Sequence, residues 1–285
     1  MPANTAPPLP VWYAWIILVT ADNSFSTANV SQEVMFSWGW RQLMTTVPSR
    51  RDRIRAATVA EIKEVARRHL VQGGPAQISL RAIAREMGMT SPALYRYFPS
   101  LETLVTVLTG DFYDEVRLVM EEARDAVPKA DALTRLRAVS HAFREWAVEH
   151  PAEFALMFGA PLPAFSDHLT STDMAQAACT EAGMRFARVF SNLFNELWFH
   201  QPFPIPEPDE IAPDLREQLA DVGDRLGGLL PVGAVYVYLS CWTNLYGMVT
   251  METFGHQRWA LQDAKPLFDA KLEAMLGRLV PSEVP

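Results

Sequence analysis

The residues best equipped for chemistry form a short group of hydroxyl, aromatic and cationic side chains in the first third of the chain. Thr90 and Ser91 are followed closely by Tyr95, Arg96 and Tyr97. Hydroxyl groups hydrogen-bond to phosphates and base edges, and an arginine makes charge-assisted hydrogen bonds to a phosphate or a guanine. The group therefore has the chemistry of a surface that binds nucleic acid.

A short amphipathic helix is predicted just before this group, over residues 80–87. Its apolar positions have i, i+3, i+4, i+7 spacing and are Leu80, Ile83, Ala84 and Met87. Ser79 is suited to be its N-cap, and Gly88 supplies the turn that follows.

A second short helix is predicted over residues 92–98, with Ser91 as N-cap and Pro92 at the first helical position, where the missing N–H costs nothing. Small side chains such as Ala93 let the backbone approach the bases, and a methyl group can touch a thymine methyl. Leu94 and Phe98, four residues apart, are predicted to point back into a small core. Two short helices joined by a glycine turn predict a helix-turn-helix unit, whose second helix enters the major groove. The alternative is an ordinary helical corner with a Tyr–Phe core cluster.

The charge distribution favours the DNA-binding interpretation. The whole chain has a net charge of −8, which by itself argues against nucleic acid. Residues 50–100, however, hold ten basic and four acidic side chains, while residues 101–285 hold 14 basic and 27 acidic ones. A polyanion would be attracted to the first stretch and repelled by the second. The side chains predicted to contact double-stranded operator DNA are Arg51, Arg53, Ser79, Arg81, Thr90, Ser91, Pro92, Ala93, Tyr95, Arg96 and Tyr97.

The stretch from about Arg51 to Leu108 resembles the DNA-binding domain of the tetracycline-repressor (TetR) family. The similar segments are RDRIRAATVAEIKEVA, ISLRAIAREMGMTSPALYRYFPS and LETLV, of which LYRYF is the most specific. The resemblance implies homodimers, a DNA-facing segment at Thr90–Tyr97 and a variable C-terminal domain that binds a small-molecule effector. Leu101 stands where the family commonly has a phosphate-contacting lysine. This contact is therefore either lost, with weaker affinity or compensation by Arg81 and Arg85, or replaced by backbone N–H groups at the start of that helix.

The C-terminal part is similar to one C-terminal type of the same family, the WHG type. The similar segments are HPAEFALMFGAP at 150–161 and CWTNLYGMVTMETFGH at 241–256. That type usually shows a W-x-x-x-H-G arrangement. Trp242 and Gly247 fit it, but Tyr246 replaces the histidine.

Aromatic residues and methionines at helical spacing predict a mostly apolar ligand pocket in the C-terminal part. Its predicted lining is Phe143, Trp146, His150, Phe154, Met157, Phe158, Phe186, Phe190, Phe194, Trp242 and Tyr246. Tyr246, Asn244, His150 and Glu196 are the candidate polar contacts. For any single residue of the lining, plain core packing is the alternative.

Spacing of three and four predicts an all-α fold, in which a three-helix N-terminal helix-turn-helix domain is followed by a C-terminal helical bundle. The predicted helices are 51–71, 80–87, 92–98, 101–127, 132–149, 152–159, 172–200, 214–226, 232–254 and 265–279. The predicted domains are 1–49, an irregular extension, 50–98, the DNA-binding domain, 99–127, a connecting helix, and 128–285, the ligand-binding and dimerisation domain. Translation from Met35 or Met44 is one hypothesis for the extension, and a short membrane-touching anchor is the other.

Dimerisation is predicted through the last two helices. Gly233, Ala234, Ser240 and Gly247 would allow close helix approach, and the last helix carries an apolar stripe that needs a partner. The stripe is Phe268, Leu272, Met275, Leu276 and Leu279. Packing within the chain is the alternative.

The remaining patterns favour no catalysis. The six histidines include no pair with metal-ligand spacing, and no GxGxxG, Walker loop, nucleophile elbow or HExxH occurs. Cys179 and Cys241 are interpreted as buried, reduced thiols. We therefore expect no enzyme, no catalytic residue, no metal, no cofactor and no membrane partner, in a cytoplasmic protein.

The sequence thus predicts a DNA-binding transcriptional regulator, by family default a repressor, whose operator affinity is controlled by a lipophilic ligand. Two alternatives stay open. One is a helical enzyme or carrier with a small helical subdomain, and the other is a constitutive DNA-binding protein with a filled core.

Overall fold

The computed structural model describes residues 49–129, 131–158 and 174–280. These residues form ten α-helices and two 3-10 turns, and they contain no strand, which confirms the predicted all-α fold. The helices are α1 (Arg50–Gly73), α2 (Leu80–Glu86), α3 (Ser91–Tyr95), α4 (Leu101–Asp125), α5 (Ala132–Glu149), α6 (Pro151–Phe158), α7 (Met174–His200), α8 (Pro213–Arg225), α9 (Val232–Thr253) and α10 (Lys265–Leu276). The predictions about the N-terminal extension lie outside the described residues.

The chain divides into two compact units, one ending at Pro99 and the other beginning at Ser100. We call the described residues 49–99 the head and 100–280 the body. None of the described helices is long and apolar enough to cross a membrane.

The head is built around one small apolar core. Helix α1 begins with a capping box, in which Ser49 and Asp52 satisfy each other's backbone N–H groups, and it ends where Gly74 takes a positive φ of 77°. Three helices and the residues after α3 contribute the core side chains, which are Ile62, Val65, Ala66, Leu70, Leu80, Ile83, Ala84, Leu94 and Phe98. This burial fixes the angle between α2 and α3.

A Schellman motif ends α2 and forms the turn of the helix-turn-helix unit. Gly88 has φ 65°, and the N–H of Met89 donates to the carbonyl of Ala84 at 2.8 Å. The N–H of Gly88 donates to Arg85 at 3.2 Å. A left-handed residue is needed here, which explains why the turn contains glycine.

The body is a bundle in which α4 packs along both α7 and α5, and α9 packs against α5 and α8. Two side-chain ion pairs tie α7 to its neighbours. Arg135 of α5 donates to both carboxylate oxygens of Glu196, at 2.7 and 2.8 Å, and Arg185 donates to Asp114 of α4 at 2.8 Å.

Four of the five residues of the apolar stripe predicted on the last helix are buried within the chain, and Met275 is half-buried. The prediction that the stripe needs a partner subunit is therefore wrong. Phe268 and Leu272 are buried, and so are Leu276 and Leu279. The helix packs on α9 and α5 of its own body. Apolar spacing shows that a helix face must be covered, but it cannot tell whether the cover comes from the same chain.

Gly233 also serves the interior of the chain rather than a subunit contact. A Cβ added there would lie 2.7 Å from the carbonyl oxygen of Pro206 and 3.0 Å from Ile205. The glycine therefore allows the proline-rich segment after α7 to lie against the start of α9. Gly247, in contrast, has no heavy atom within 4 Å of an added Cβ, so it leaves α9 open to approach from outside.

Candidate DNA-binding surface and aromatic core

Helix α3 presents the predicted DNA-contacting group to the surface of the head. Thr90, Pro92, Tyr95 and Arg96 are exposed, and Ser91, Ala93 and Tyr97 are half-buried. Leu94 and Phe98 point into the core instead, being 0% and 4% exposed. The sequence pattern thus separated the outward and inward residues of this segment correctly.

The ends of α3 differ from the prediction by one residue at the start and three at the end. Thr90, not Ser91, is the N-cap, because its carbonyl already accepts the N–H groups of Ala93 and Leu94 at 2.9 and 3.2 Å. The helix ends at Tyr95, and Tyr97 then donates to Leu94 at 2.8 Å in a tighter turn.

Arginines extend the surface beyond α3. Arg51, Arg53 and Arg81 are exposed as predicted, while Ser79 is half-buried at the N-cap of α2. In the part of the chain that the structure describes, none of these three guanidinium groups forms an ion pair, and neither does Arg96. Cations without acidic partners are available to a polyanion.

The structure places Arg50, Ile54 and Arg55 beside three of the predicted DNA contacts. An open pocket of about 580 Å³ is lined by Arg50, Arg51, Ile54, Arg55, Arg96 and Tyr97. The guanidinium carbon of Arg55 lies 5.1 Å from the centroid of the Tyr97 ring. Arg51 and Arg55 are four residues apart and therefore lie on one face of α1, which is the sequence feature that could have predicted this cluster.

The acid nearest the helix-turn-helix turn is neutralised within the head. Arg68 donates to one carboxylate oxygen of Glu86 at 2.7 Å, and His69 Nε2 lies 2.7 Å from the other. These hydrogen bonds, with that from Arg68 the larger influence, lower the pKa of Glu86 below its ordinary value. The pairing also joins α1 to the end of α2.

In the body, most of the predicted pocket residues meet in one ring cluster. Phe143 lies at its centre, with ring centroids 5.7 Å from Phe186, 5.8 Å from Trp242 and 6.2 Å from Phe190. Further rings complete the cluster, and they are Phe154, Phe158 and Tyr246. Such edge-to-face and tilted contacts are the preferred packing of aromatic side chains.

The other predicted lining residues lie around this cluster. Met157 is buried, and Phe194 packs on Tyr238 and Phe203 at 5.2 and 6.1 Å. Trp146 and His150 stack on each other at 5.0 Å.

The predicted polar contacts mostly have partners inside the protein. Tyr246 donates to the carbonyl of Phe158 at 3.1 Å, and Glu196 accepts from Arg135. His150 Nδ1 lies 2.9 Å from the carbonyl of Trp146. Asn244 is exposed on α9 rather than directed into the cluster.

A small cavity borders the cluster, and its volume is only about 10 Å³. It is lined by Leu136, Ser140, Phe190, Phe194, Tyr238, Cys241, Trp242, Leu245 and Met275. Tyr238 is 2% exposed, and its hydroxyl has no hydrogen-bond partner among the described residues. Burial raises the pKa of Tyr238, so the hydroxyl keeps its proton at neutral pH. No sequence pattern distinguishes this residue, since a tyrosine on an apolar helix face is common in helical cores.

A larger groove of about 340 Å³ lies between α9 and α10 and has both polar and apolar walls. Glu252, Gln257, Lys271 and Arg278 are among its polar lining residues. Among the described residues, no group of three or more histidine, cysteine or acidic side chains is placed to hold a metal ion.

An exposed helix-turn-helix head joined to a helical body defines the class of helix-turn-helix transcription regulators. The family model of bacterial regulatory proteins of the tetR family matches residues 62–108, and a tetracyclin repressor-like C-terminal domain matches residues 136–275. The chain belongs to the TetR family of transcriptional regulators, as the sequence motifs predicted, and it is a DNA-binding protein of that family.

Known proteins similar to this chain cover most of its length. The HTH-type transcriptional regulator Rv1816 of Mycobacterium tuberculosis (strain ATCC 25618 / H37Rv) is 30% identical over 235 residues, which are 82% of this chain and 96% of the relative. The regulator Mb1846 of Mycobacterium bovis matches equally well. The crystal structure of the regulatory protein SCO4313 has a TM-score of 0.60 at 28% identity, covering 79% of this chain and 98% of that one.

Proposed function

We propose that this regulator binds an inverted-repeat operator as a homodimer and represses transcription by occupying the promoter. The N-terminal end of α3 enters the major groove, and the two α3 helices of a dimer reach successive grooves about 34–36 Å apart. The observation that supports this most is the exposure of Thr90, Tyr95 and Arg96 on α3 and its caps. Among the described residues, Arg96 and the nearby arginines have no acidic partner. The protein acts in the cytoplasm, where bacterial DNA lies, and needs no catalytic group for this role.

Arg96→Ala and Tyr97→Phe test the DNA-binding surface. Each should weaken operator binding by roughly 5–150-fold, corresponding to about 1–3 kcal/mol for one specific contact. Arg188→Ala is the matched control, because Arg188 is an exposed arginine of α7 in the body. Fluorescence anisotropy with the duplex flanking the gene measures the affinities. Unchanged affinity in both head variants would contradict the proposal.

The open face of α9 and α10 is the proposed dimer contact. Tyr236 and Met251 of α9 and Leu267 of α10 are large apolar side chains that are about 40% exposed. Gly247 lies between the first two and allows a partner helix to approach closely. Gly247→Leu should therefore dissociate the dimer without disturbing the monomer fold. A wild-type chain that is monomeric by light scattering at micromolar concentration would refute the contact.

A lipophilic effector is proposed to enter the body beside the ring cluster and to lower operator affinity by a population shift. The coupling is limited by the effector's differential affinity for the two states, typically about 1–3 kcal/mol. The hydroxyl of Tyr238 has no partner within residues 49–129, 131–158 and 174–280. This supports the site, since a buried polar group without a partner is costly until something bonds to it. An uncharged molecule with one hydrogen-bond acceptor fits that chemistry.

The closed ring cluster favours a second candidate function, a constitutive DNA-binding regulator with a filled core. A cavity of about 10 Å³ is far below the roughly 300 Å³ of a small ligand site, so an effector must displace rings to enter. Thermal-shift measurements with uncharged aromatic ketones such as benzophenone separate the two candidates. If a ligand controls the protein, ligand binding should raise the unfolding temperature, and Tyr238→Phe should reduce this increase. Without ligand, the Tyr238→Phe variant should be slightly more stable than wild type. No shift across the panel would favour the constitutive regulator.

A further inference from the structure

The pocket of the head collects four cations and no acid. Its lining includes Arg50, Arg51, Arg55 and Arg96. Asp52, on the same turn of α1, is engaged by the backbone N–H and hydroxyl of Ser49, at 3.2 and 2.7 Å. Like charges four residues apart on a helix are mildly destabilising, and Arg51 and Arg55 have this spacing. An anion bound between the guanidinium groups would remove this repulsion.

Among the described residues, Arg55 is the arginine of this pocket that has an aromatic partner. Its guanidinium lies over the Tyr97 ring at 5.1 Å. A guanidinium that stacks on a ring keeps its edge N–H groups free to donate, and both groups lose mobility in the contact. Tyr97 is half-buried, and it follows the end of α3 by two residues. The stacking contact therefore joins the start of α1 to the segment proposed to touch DNA.

We propose that Arg55 is a positioning residue that holds Tyr97 in place, and that the four-arginine pocket binds one phosphodiester group of duplex DNA beside the α3 contact. This inference rests on the proposed function, because it assumes that α3 docks on DNA. Arginine suits the site, since its planar N–H donors match two phosphate oxygens at once.

Duplex DNA fits this open pocket better than a free phosphate does. The pocket is shallow and its arginines are exposed, and a single exposed ion pair is weakened by solvent and salt. A DNA backbone instead brings many charges together and gains free energy when its counterions are released. Because the duplex loses its translational and rotational freedom once, through the whole interface, placing one of its phosphates in the pocket does not incur that loss again.

A double-mutant cycle on the full-length protein tests the positioning role. The variants are Arg55→Ala, Tyr97→Phe and the double variant, with Arg53→Ala as the matched control, since Arg53 lies on the same helix turn but does not line the pocket. Binding to a fluorescein-labelled duplex from the flanking promoter is measured by anisotropy across a salt series. Circular dichroism and thermal unfolding confirm that each variant folds.

Arg53→Ala should lower the DNA affinity only a few-fold, as expected for one diffuse phosphate contact, and should lower the slope of log affinity against log salt concentration by about one. Arg55→Ala should lower the DNA affinity about ten-fold or more. Tyr97→Phe should clearly weaken DNA binding by the otherwise wild-type protein. In the Arg55→Ala background it should change the DNA affinity by less than about three-fold, because the effects of mutating two residues in contact are not additive. Equal losses for Arg53→Ala and Arg55→Ala, together with an additive cycle, would overturn the positioning role. If Arg96→Ala still weakened binding in that case, the proposed function itself would stand.

Inorganic phosphate tests the occupant of the pocket. In the absence of DNA and at constant ionic strength, wild type should show no saturable binding of inorganic phosphate by isothermal titration calorimetry. Saturable binding of phosphate that disappears in Arg55→Ala would assign the pocket to a free phosphate group. That result would overturn duplex DNA as its occupant.

Discussion

Arg144 of α5 and Glu252 of α9 form a nearly buried ion pair in the body. Their side chains are only 8% and 12% exposed, and Arg144 Nε donates to Glu252 Oε2 at 2.7 Å. The same guanidinium lies 5.3 Å from the ring centroid of Phe268 on α10. One arginine therefore connects the three helices that form this side of the bundle.

Breaking this pair from one side should be strongly destabilising. Arg144→Ala leaves the Glu252 charge buried without its partner, which costs about 3–5 kcal/mol, whereas Arg144→Met with Glu252→Leu should recover most of that loss. Urea unfolding measures the change. The control is Arg137→Ala, which removes a more exposed pair with Glu273 and should cost about 1 kcal/mol or less. Similar costs for the two single variants would contradict the prediction.

The turn between α2 and α3 should tolerate only glycine well. Gly88 has φ 65°, a conformation that costs an alanine about 1–2 kcal/mol. Gly88→Ala should lower the thermal stability of the head and weaken DNA binding. Gly277→Ala is the matched control, because Gly277 has φ −59° and open space around an added Cβ. It should be neutral or slightly stabilising, and a Gly88→Ala variant that behaves the same way would refute the argument.

Both thiols should be unreactive in the folded protein. Cys179 and Cys241 are buried, and burial raises the pKa of each thiol to about 12. Since the thiolate is the reactive form, a thiol reagent at pH 8 should label native protein very slowly. In guanidinium chloride the same reagent should label two thiols per chain. Rapid labelling of the native protein would show that one of the sites is open.

Acid should weaken the link between α1 and α2. The hydrogen bond from Arg68 and then that from His69 lower the pKa of Glu86 from its ordinary 4.5. A carboxyl group with a lowered pKa stabilises the fold fully above its ordinary pKa. This contribution falls as the pH drops below about 4.5 and is lost once the pH passes the lowered value. Thermal unfolding between pH 3 and 7 should show that wild type loses stability more steeply with falling pH than Glu86→Gln does. Parallel curves of unfolding temperature against pH would contradict this.

The helices and the helix-turn-helix unit could be predicted from local sequence patterns. Predicted bounds such as 132–149 for α5 match the structure, and Ser100 caps α4 by accepting from the backbone N–H of Thr103 at 3.0 Å. Apolar spacing, N-caps and helix-ending glycines act within a few residues, so the local sequence carries them.

The outward-facing and inward-facing residues of the α3 segment could also be predicted from the sequence, because a short helix that packs against a small core has one apolar face. Leu94 is buried and Arg96 is exposed, as their spacing predicted. The side chain that Arg55 stacks upon could not be inferred in the same way, since Tyr97 is 42 residues distant in the chain.

The tertiary structure alone decided which apolar faces cover one another and how much space they leave. Phe268 and Leu272 of α10 lie in the chain's own core, and Phe143 packs among its neighbouring rings. The Tyr238 hydroxyl has no partner in the part of the chain that the structure describes. These outcomes depend on the volumes and angles of helices far apart in sequence. Periodicity records that a face is apolar, but only close packing in three dimensions selects its partner.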